Sequence, residues 1–331
     1  MTLITPFGGW LLIEAVEIDT EFAGFAGHLH RCSAERRHVI ASYISRETPT
    51  LRFGSVAEMG KFLVHASHDE ILQAAFATVP SGLRRALGRG GSQPYRRRHY
   101  GYLHALMFSE RRPTLTRLIP NLPAVNPSRL RVARALPADL RIASLVMAIK
   151  DQRLARDLGD LLQLLEEAGS DRQAMITSIA AVKTFSDIRD WARRWAFRVR
   201  LPEHPVPSAT GYMPIQSGGE LKSIALRFRN CARNYLASAL EGRSAFAVVS
   251  QGANEAVVHL ICERNLWALE EVYGVGNSEP DPALVSRATS HLAQHGIGPR
   301  GQRPRPQRRW ASLRSVAGHL DYGVRDDWEF E

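Results

Sequence analysis

The chain has 331 residues, 44% of them hydrophobic and 23% charged, enough for two domains that each bury a core, and not a disordered composition. Its formal net charge of +10 is carried mainly by arginine, whose planar fork of donors fits phosphate and stacks on bases, so a polyanionic partner is expected. The three cysteines, Cys32, Cys231 and Cys262, are widely spaced and contain no C-x-x-C, which excludes a disulfide framework and a cysteine-rich zinc module.

Residues 1–80 read as mixed structure. Trp10-Leu11-Leu12-Ile13 suits a short strand, and Ser55 followed by Glu58 opens a helix through a capping pattern. The N-terminus has no basic n-region, and Glu14 and Glu17 interrupt its apolar run. Because no uninterrupted apolar stretch of about 18 residues occurs anywhere, the expectation is a cytoplasmic protein without a membrane partner.

Between Gly82 and Arg117 the composition changes. Arg84, Arg85, Arg89, Arg96, Arg97, Arg98, Arg111, Arg112 and Arg117 stand against one acid, Glu110, with Tyr95, His99, Tyr100 and Tyr102 interleaved. Gly88, Gly90, Gly91 and Pro94 make the middle of this segment a loop. Guanidinium groups neutralise phosphates and tyrosine rings offer stacking surfaces for unpaired bases. The residues assigned to nucleic acid here are Arg84, Arg85, Arg96, Arg97, Arg98 and Tyr100.

Leu154, Leu158, Leu161, Leu162 and Leu165 then form one helical stripe ending before Gly169. Ser170 to Gln173 reads as a capping box for a second helix, and Ser186 with Asp187 starts a third carrying Trp191 and Trp195 on one face. Arg189, Arg193 and Arg194 lie on that third helix and extend the expected cationic track.

Pro202, Pro205, Pro207 and Pro214 break all periodicity, which places a linker at 201–216. Beyond it the pattern is α-β-β-β-α. A helix spans Glu220 to Leu240, broken near Asn230; strands are Ala245 to Ser250, Ala256 to Cys262 and Leu266 to Tyr273. Asp281 and Pro282 open a last helix that ends at Gly296. A basic segment with Arg300, Arg303, Arg305, Arg308 and Arg309 follows, of which Arg305 is added to the nucleic-acid set.

Two further constellations bear on chemistry. Arg227, Arg229 and Arg233 flank Cys231, His259 shares a strand face with Val257 and Ile261, and Glu270 stands on the next strand, so a Cys231–His259–Glu270 arrangement is the enzymatic alternative. A buried structural role for the cysteine and histidine is the commoner outcome for such residues. His291 and His295 sit at i, i+4 without H-E-x-x-H, so no metal is expected. Gly274-Val275-Gly276-Asn277 lacks the third glycine of a dinucleotide fingerprint, and no cofactor is expected.

Asn230-Cys231, Tyr235, Gly242 to Phe246, and Gly274 with Asn277 make the segment from Gly218 to Asn277 similar to the PcfJ-like family, proteins encoded on conjugative plasmids and other mobile elements. Where members of that family often carry histidine before the cysteine, this chain has Asn230, and Val272-Tyr273 stands where they have a glutamine before the glycine. The resemblance implies a mobile-DNA setting rather than a mechanism.

The resulting expectation is an α+β protein: a mainly helical basic region at 1–200, the linker at 201–216, a small domain at 217–296 with a three-stranded sheet flanked by helices, and a basic extended tail at 297–331. Nucleic-acid binding in a plasmid, phage or other mobile-element system leads. A scaffold that binds an acidic protein through the same arginines, and a thiol-dependent enzyme, are the alternatives.

Overall fold

The computed structural model describes residues 6–46, 52–108, 113–263, 265–299 and 311–318. The chain is α+β, with a small four-stranded antiparallel sheet towards the C-terminal end and helices elsewhere. It divides into two compact units, Met1–Ala155 and Arg156–Glu331. Among the described residues no helix is long and apolar enough to cross a membrane.

The N-terminal unit is built from short helices, and that fact dictates much of its chemistry. Trp10–Glu21 is a helix and not the expected strand: Leu11, Ala15 and Ile18 are buried at helical spacing. A four-residue apolar run cannot by itself separate the two periods, and the following residues decide it. Ala34–Ile44 lies at the centre, capped by the Ser33 hydroxyl, which accepts from the Arg36 N–H at 3.1 Å, and buried from Arg37 to Ile44. Ser55 caps Val56–His65 as expected, accepting from the Glu58 N–H at 3.1 Å.

Helices this short leave a large share of their carbonyl groups without intrahelical partners, and such helices are marginal outside a tertiary context. Arginines supply the missing donors. Arg36 Nη2 donates to the carbonyls of Leu63 and Val64 at 2.8 and 3.2 Å, closing the end of Val56–His65. Arg46 Nη1 spans the carbonyls of Ala74 and Ala75 at the end of His68–Ala75. Arg129 Nη1 reaches Val146 and Ile149 at 3.1 and 2.6 Å at the end of Ala143–Ala148. A guanidinium bridges two carbonyls at once and also meets the negative end of the helix dipole. Part of the arginine excess is therefore scaffold.

In the C-terminal unit the leucine stripe forms the helix Gln152–Glu167, inside which the division between the units falls. Leu158, Leu161, Leu162 and Leu165 are fully buried. Asp171, not Ser170, caps Arg172–Ile179, and Thr184, two residues before the expected Ser186, forms the capping box of Phe185–Ala196 with Asp187. Trp191 and Trp195 share one face as anticipated, both donating to Ser178 Oγ, at 2.9 and 3.0 Å.

The proline segment is not a linker. Leu201 N–H donates to Gln216 at 2.9 Å, Val206 is fully buried, and Tyr212–Pro214 forms β1 of the sheet. Proline tolerates an edge strand because its missing donor then faces outward. The sheet therefore has four strands, not three. The others are β2 (Ser244–Gln251), β3 (Asn254–Glu263) and β4 (Leu266–Tyr273), in the order β1-β2-β3-β4. Gln251 pairs with Asn254 across a two-residue turn in which Gly252 has φ 59°, a corner that favours glycine. One sheet face, with Ala247, Val249, Val258 and Leu260, packs with Leu284, Ala288 and Leu292 of the helix Pro282–Gln294. The other face carries Phe246, Val248, Val257 and His259.

Candidate nucleic-acid interface

The structure disperses most of the expected arginine set. Arg84 Nε pairs with Glu35 Oε1 at 2.6 Å. Arg97 pairs with Glu14, and its guanidinium lies 5.0 Å from the centre of the Trp10 ring. Arg89 donates to the Leu122 carbonyl at 2.6 Å. Arg85 lines a separate groove with Arg117. Within the C-terminal unit, Arg193 pairs with Asp190 at 3.3 Å and Arg189 donates to the Ala317 carbonyl at 3.4 Å, while Arg194 is exposed. Arg305 and its neighbours at 300–310, and Glu110, Arg111 and Arg112, lie outside the described residues.

Tyr100 is a correction. Its side chain is 1% exposed, so no base can stack on it. The helix Arg98–Phe108 buries Tyr100, Leu103, Leu106 and Met107, and the opposite positions Arg98 and Tyr102 carry the accessible groups. Interleaving along the sequence became separation around the helix, because successive residues turn through about 100°.

What the fold does assemble is a cleft between Arg98–Phe108 and Pro127–Ala135. Arg98, His99, Tyr102, Arg131 and Arg134 line a cavity of about 320 Å³, together with Pro127 and Gln152. Arg131 and Arg134 share a helix face at i, i+3, and Arg134 Nη1 stands 3.5 Å from the Tyr102 hydroxyl. Among the described residues no carboxylate lines the cavity, and neither Arg96, Arg98 nor Arg131 pairs with one. Burial lowers the pKa of His99 first, and the guanidinium groups of Arg98, Arg131 and Arg96 lower it further. The imidazole is thus biased to its neutral form inside a ring of fixed positive charge. Arg131 and Arg134 were missed by composition because they lie well outside the arginine-tyrosine stretch. The acid-free run Pro127 to Ala135 was the available signal.

The Cys231 edge belongs to the other unit. The helix Gly218–Arg227 ends in a Schellman turn: Asn230 N–H donates to Ala225 at 3.0 Å and Arg229 N–H to Leu226 at 3.2 Å. Arg229 occupies the position usually held by glycine, at φ 48°. This turn delivers Cys231, exposed, to the start of the short 3₁₀ segment Ala232–Tyr235. His259 differs sharply, at 1% exposure. Its ring stacks on Phe246 at 4.4 Å and meets Tyr235 at 4.6 Å, and its Nε2 stands 3.4 Å from Ser244 Oγ.

Glu270 stands where the pairing of β3 and β4 is irregular, opposite His259 and Leu260. Glu271 pairs with His259, and Leu269 with Leu260, so Glu270 is the extra residue of a bulge. Tyr273, beside this edge, has its pKa raised by burial, then by the Glu271 carboxylate, with Tyr235 and Cys231 adding to the rise. This unit thus offers an accessible thiol and, separately, a buried imidazole packed among aromatic rings.

The thiols should differ in solution. Cys32 is half-buried, its Sγ donates to the Leu29 carbonyl at 3.3 Å, and burial raises its pKa. Thiolate, not thiol, reacts with maleimides. Cys231 is therefore expected to react first at neutral pH, and Cys231→Ser to abolish the fast phase. A fast phase that persists in the variant would contradict the placement of this residue.

The chain matches no protein-family model, no curated protein and no solved structure.

Proposed function

We propose that this protein binds nucleic acid, with the cleft of Arg98, Arg131 and Arg134 receiving the sugar-phosphate backbone. The observation that carries this reading is a cavity of about 320 Å³ lined by these arginines, with no carboxylate among the described residues around it. Many of the other arginines in this unit are instead held by acids or carbonyls. Like charges held together without counter-charge repel one another, and a phosphate relieves that repulsion. Tyr102 and His99 add planar groups and hydrogen-bonding atoms beside the phosphate position. The mobile-element setting implied by the PcfJ-like resemblance belongs to the same proposal and rests on the residues of the Cys231 edge.

Salt dependence tests it. For an oligonucleotide, the slope of log affinity against log salt reports the counterions released, about 0.7 to 0.9 for each phosphate neutralised. Changing Arg98, Arg131 and Arg134 together to alanine should weaken binding and flatten that slope by about 2 to 3. A curve unchanged in both strength and slope would remove the cleft from the interface. Competition with polyglutamate separates the acidic-protein alternative: a nucleic-acid site is displaced far better by an oligonucleotide of equal charge.

A further inference from the structure

We infer that Phe108 is a stacking platform for an unpaired base of a single-stranded nucleic acid, at a second site in the N-terminal unit with Arg85 and Arg117 holding the flanking phosphates. This deepens the proposed function and rests on it. The observations are independent of the Arg98 cleft.

Phe108 ends the helix Arg98–Phe108 and is 52% exposed, unusual for a phenyl ring in a unit that buries most of its large apolar groups. The ring is not loose. His104, one turn earlier, lies 5.8 Å from it at an interplanar angle of 9°, and Phe76 lies 4.1 Å from His104 at 4°. Three nearly parallel rings thus form a ladder with Phe108 at its accessible end. The His104 imidazole is fixed by donation from Nε2 to the Thr78 carbonyl at 2.8 Å. Pre-setting the orientation of a ring removes part of the ordering cost of stacking on it.

The surroundings match the backbone that would accompany a base. Phe108 borders a groove of about 630 Å³ to which, among the described residues, Arg85 and Arg117 contribute and no carboxylate does. Met107 and Pro120 add apolar surface to the lining, and Ser81, Thr116 and Asn121 add polar side chains. A π-surface flanked by guanidiniums is the combination that single-strand binders use, with stacking tolerant of base identity and phosphates held by charge. Duplex DNA hides the faces of its bases, so the preference should be for single strands.

The test uses the full chain and three fluorescently labelled probes: oligothymidylate, an abasic strand of the same length, and polyglutamate. Phe108→Leu should lower affinity for oligothymidylate about tenfold, leave its salt slope unchanged, and leave the abasic strand unaffected. Phe108→Trp should bind at least as tightly as the parent. The Arg98/Arg131/Arg134 alanine variant should instead weaken both strands and flatten both slopes. If that variant behaves so while Phe108→Leu binds oligothymidylate normally, the platform is wrong and the backbone cleft stands. If the parent protein binds neither strand, both readings fall. If polyglutamate binds best and depends on Phe108, the groove is a docking site for an acidic peptide, and this inference is overturned. Because Phe108 is half exposed at a helix end, neither substitution should disturb folding.

Discussion

Arg37→Met is expected to destabilise the N-terminal unit by about 3 kcal/mol, a larger effect than removal of any exposed ion pair. The side chain is 1% exposed, at the end of the first turn of the helix Ala34–Ile44. Its Nε donates to the Leu29 carbonyl at 3.1 Å, Nη1 to Ser92 at 2.8 Å and Nη2 to Cys32 at 3.4 Å, and its guanidinium lies 4.9 Å from the centre of the Phe7 ring. Methionine fills most of the volume but donates nothing, so several buried acceptors lose their partner, at about 1–3 kcal/mol each. Removal of a buried cation refunds part of its desolvation cost, which is why the net figure is nearer one acceptor's worth than the sum. Arg84→Met is the control, since its bond to Glu35 is on the surface and should matter little. Hydrogen exchange in Ala34–Ile44 measures both. Equal protection in the two variants would show that Arg37 is not a structural clamp.

The second large effect is a loss of stability in acid centred on His38. Its Nε2 must donate to the Gly91 carbonyl, 3.0 Å away, because a carbonyl only accepts. That fixes Nδ1 as the acceptor for the Tyr100 hydroxyl at 2.9 Å, and the same hydroxyl accepts from the Tyr95 N–H at 3.1 Å. The neutral imidazole satisfies every member of this chain. A proton on Nδ1 would confront a hydroxyl hydrogen. Burial, with a smaller opposing effect from the Gly91 carbonyl and a further lowering by Arg37, takes the pKa from the usual 6.5 to about 4.

The sign follows directly. The unfolded chain takes up this proton near pH 6.5 and the folded one only near 4, so stability is complete above 6.5 and is lost as pH falls through that window. The loss reaches about 3 kcal/mol at the acid end. His38→Gln should flatten the dependence of unfolding free energy on pH between those limits. An imidazole resonance for His38 that titrates near 6.5 would contradict the network. The packing is equally exacting at Gly90, where an added Cβ would stand 2.6 Å from both His38 Nε2 and the Tyr95 hydroxyl oxygen, so Gly90→Ala should also destabilise this unit.

These two residues show where sequence reading stops. The leucine stripe, the β2-β3 hairpin and the Pro282 helix are legible because each repeats a period or carries its own cap and turn residues. Arg37 and His38 look like surface residues in a polar stretch, and only the surrounding helices bury them. Tyr100 reads as an aromatic among arginines and becomes a core hydrogen-bonding group for the same reason. At the sheet, the bulge shifts β4 by one residue, which exchanges Glu270 for Glu271 opposite His259; a bulge leaves no reliable trace in alternation. Arg131 and Arg134 join Arg98 only through tertiary packing of two helices, Arg98–Phe108 and Pro127–Ala135, so their juxtaposition has no local signature.

The central claim is that binding depends on where the positive charge is gathered and not on its total. Charge reversal at two single positions tests that most directly, with affinity for one oligonucleotide measured at fixed salt. Arg131→Glu and Arg84→Glu change the net charge equally, yet only Arg131 lines the acid-free cleft, while Arg84 already faces Glu35. Arg131→Glu is expected to weaken binding markedly more than Arg84→Glu. Losses of the same size would mean that the protein attracts polyanions through overall charge alone, and the cleft would have no special part in it.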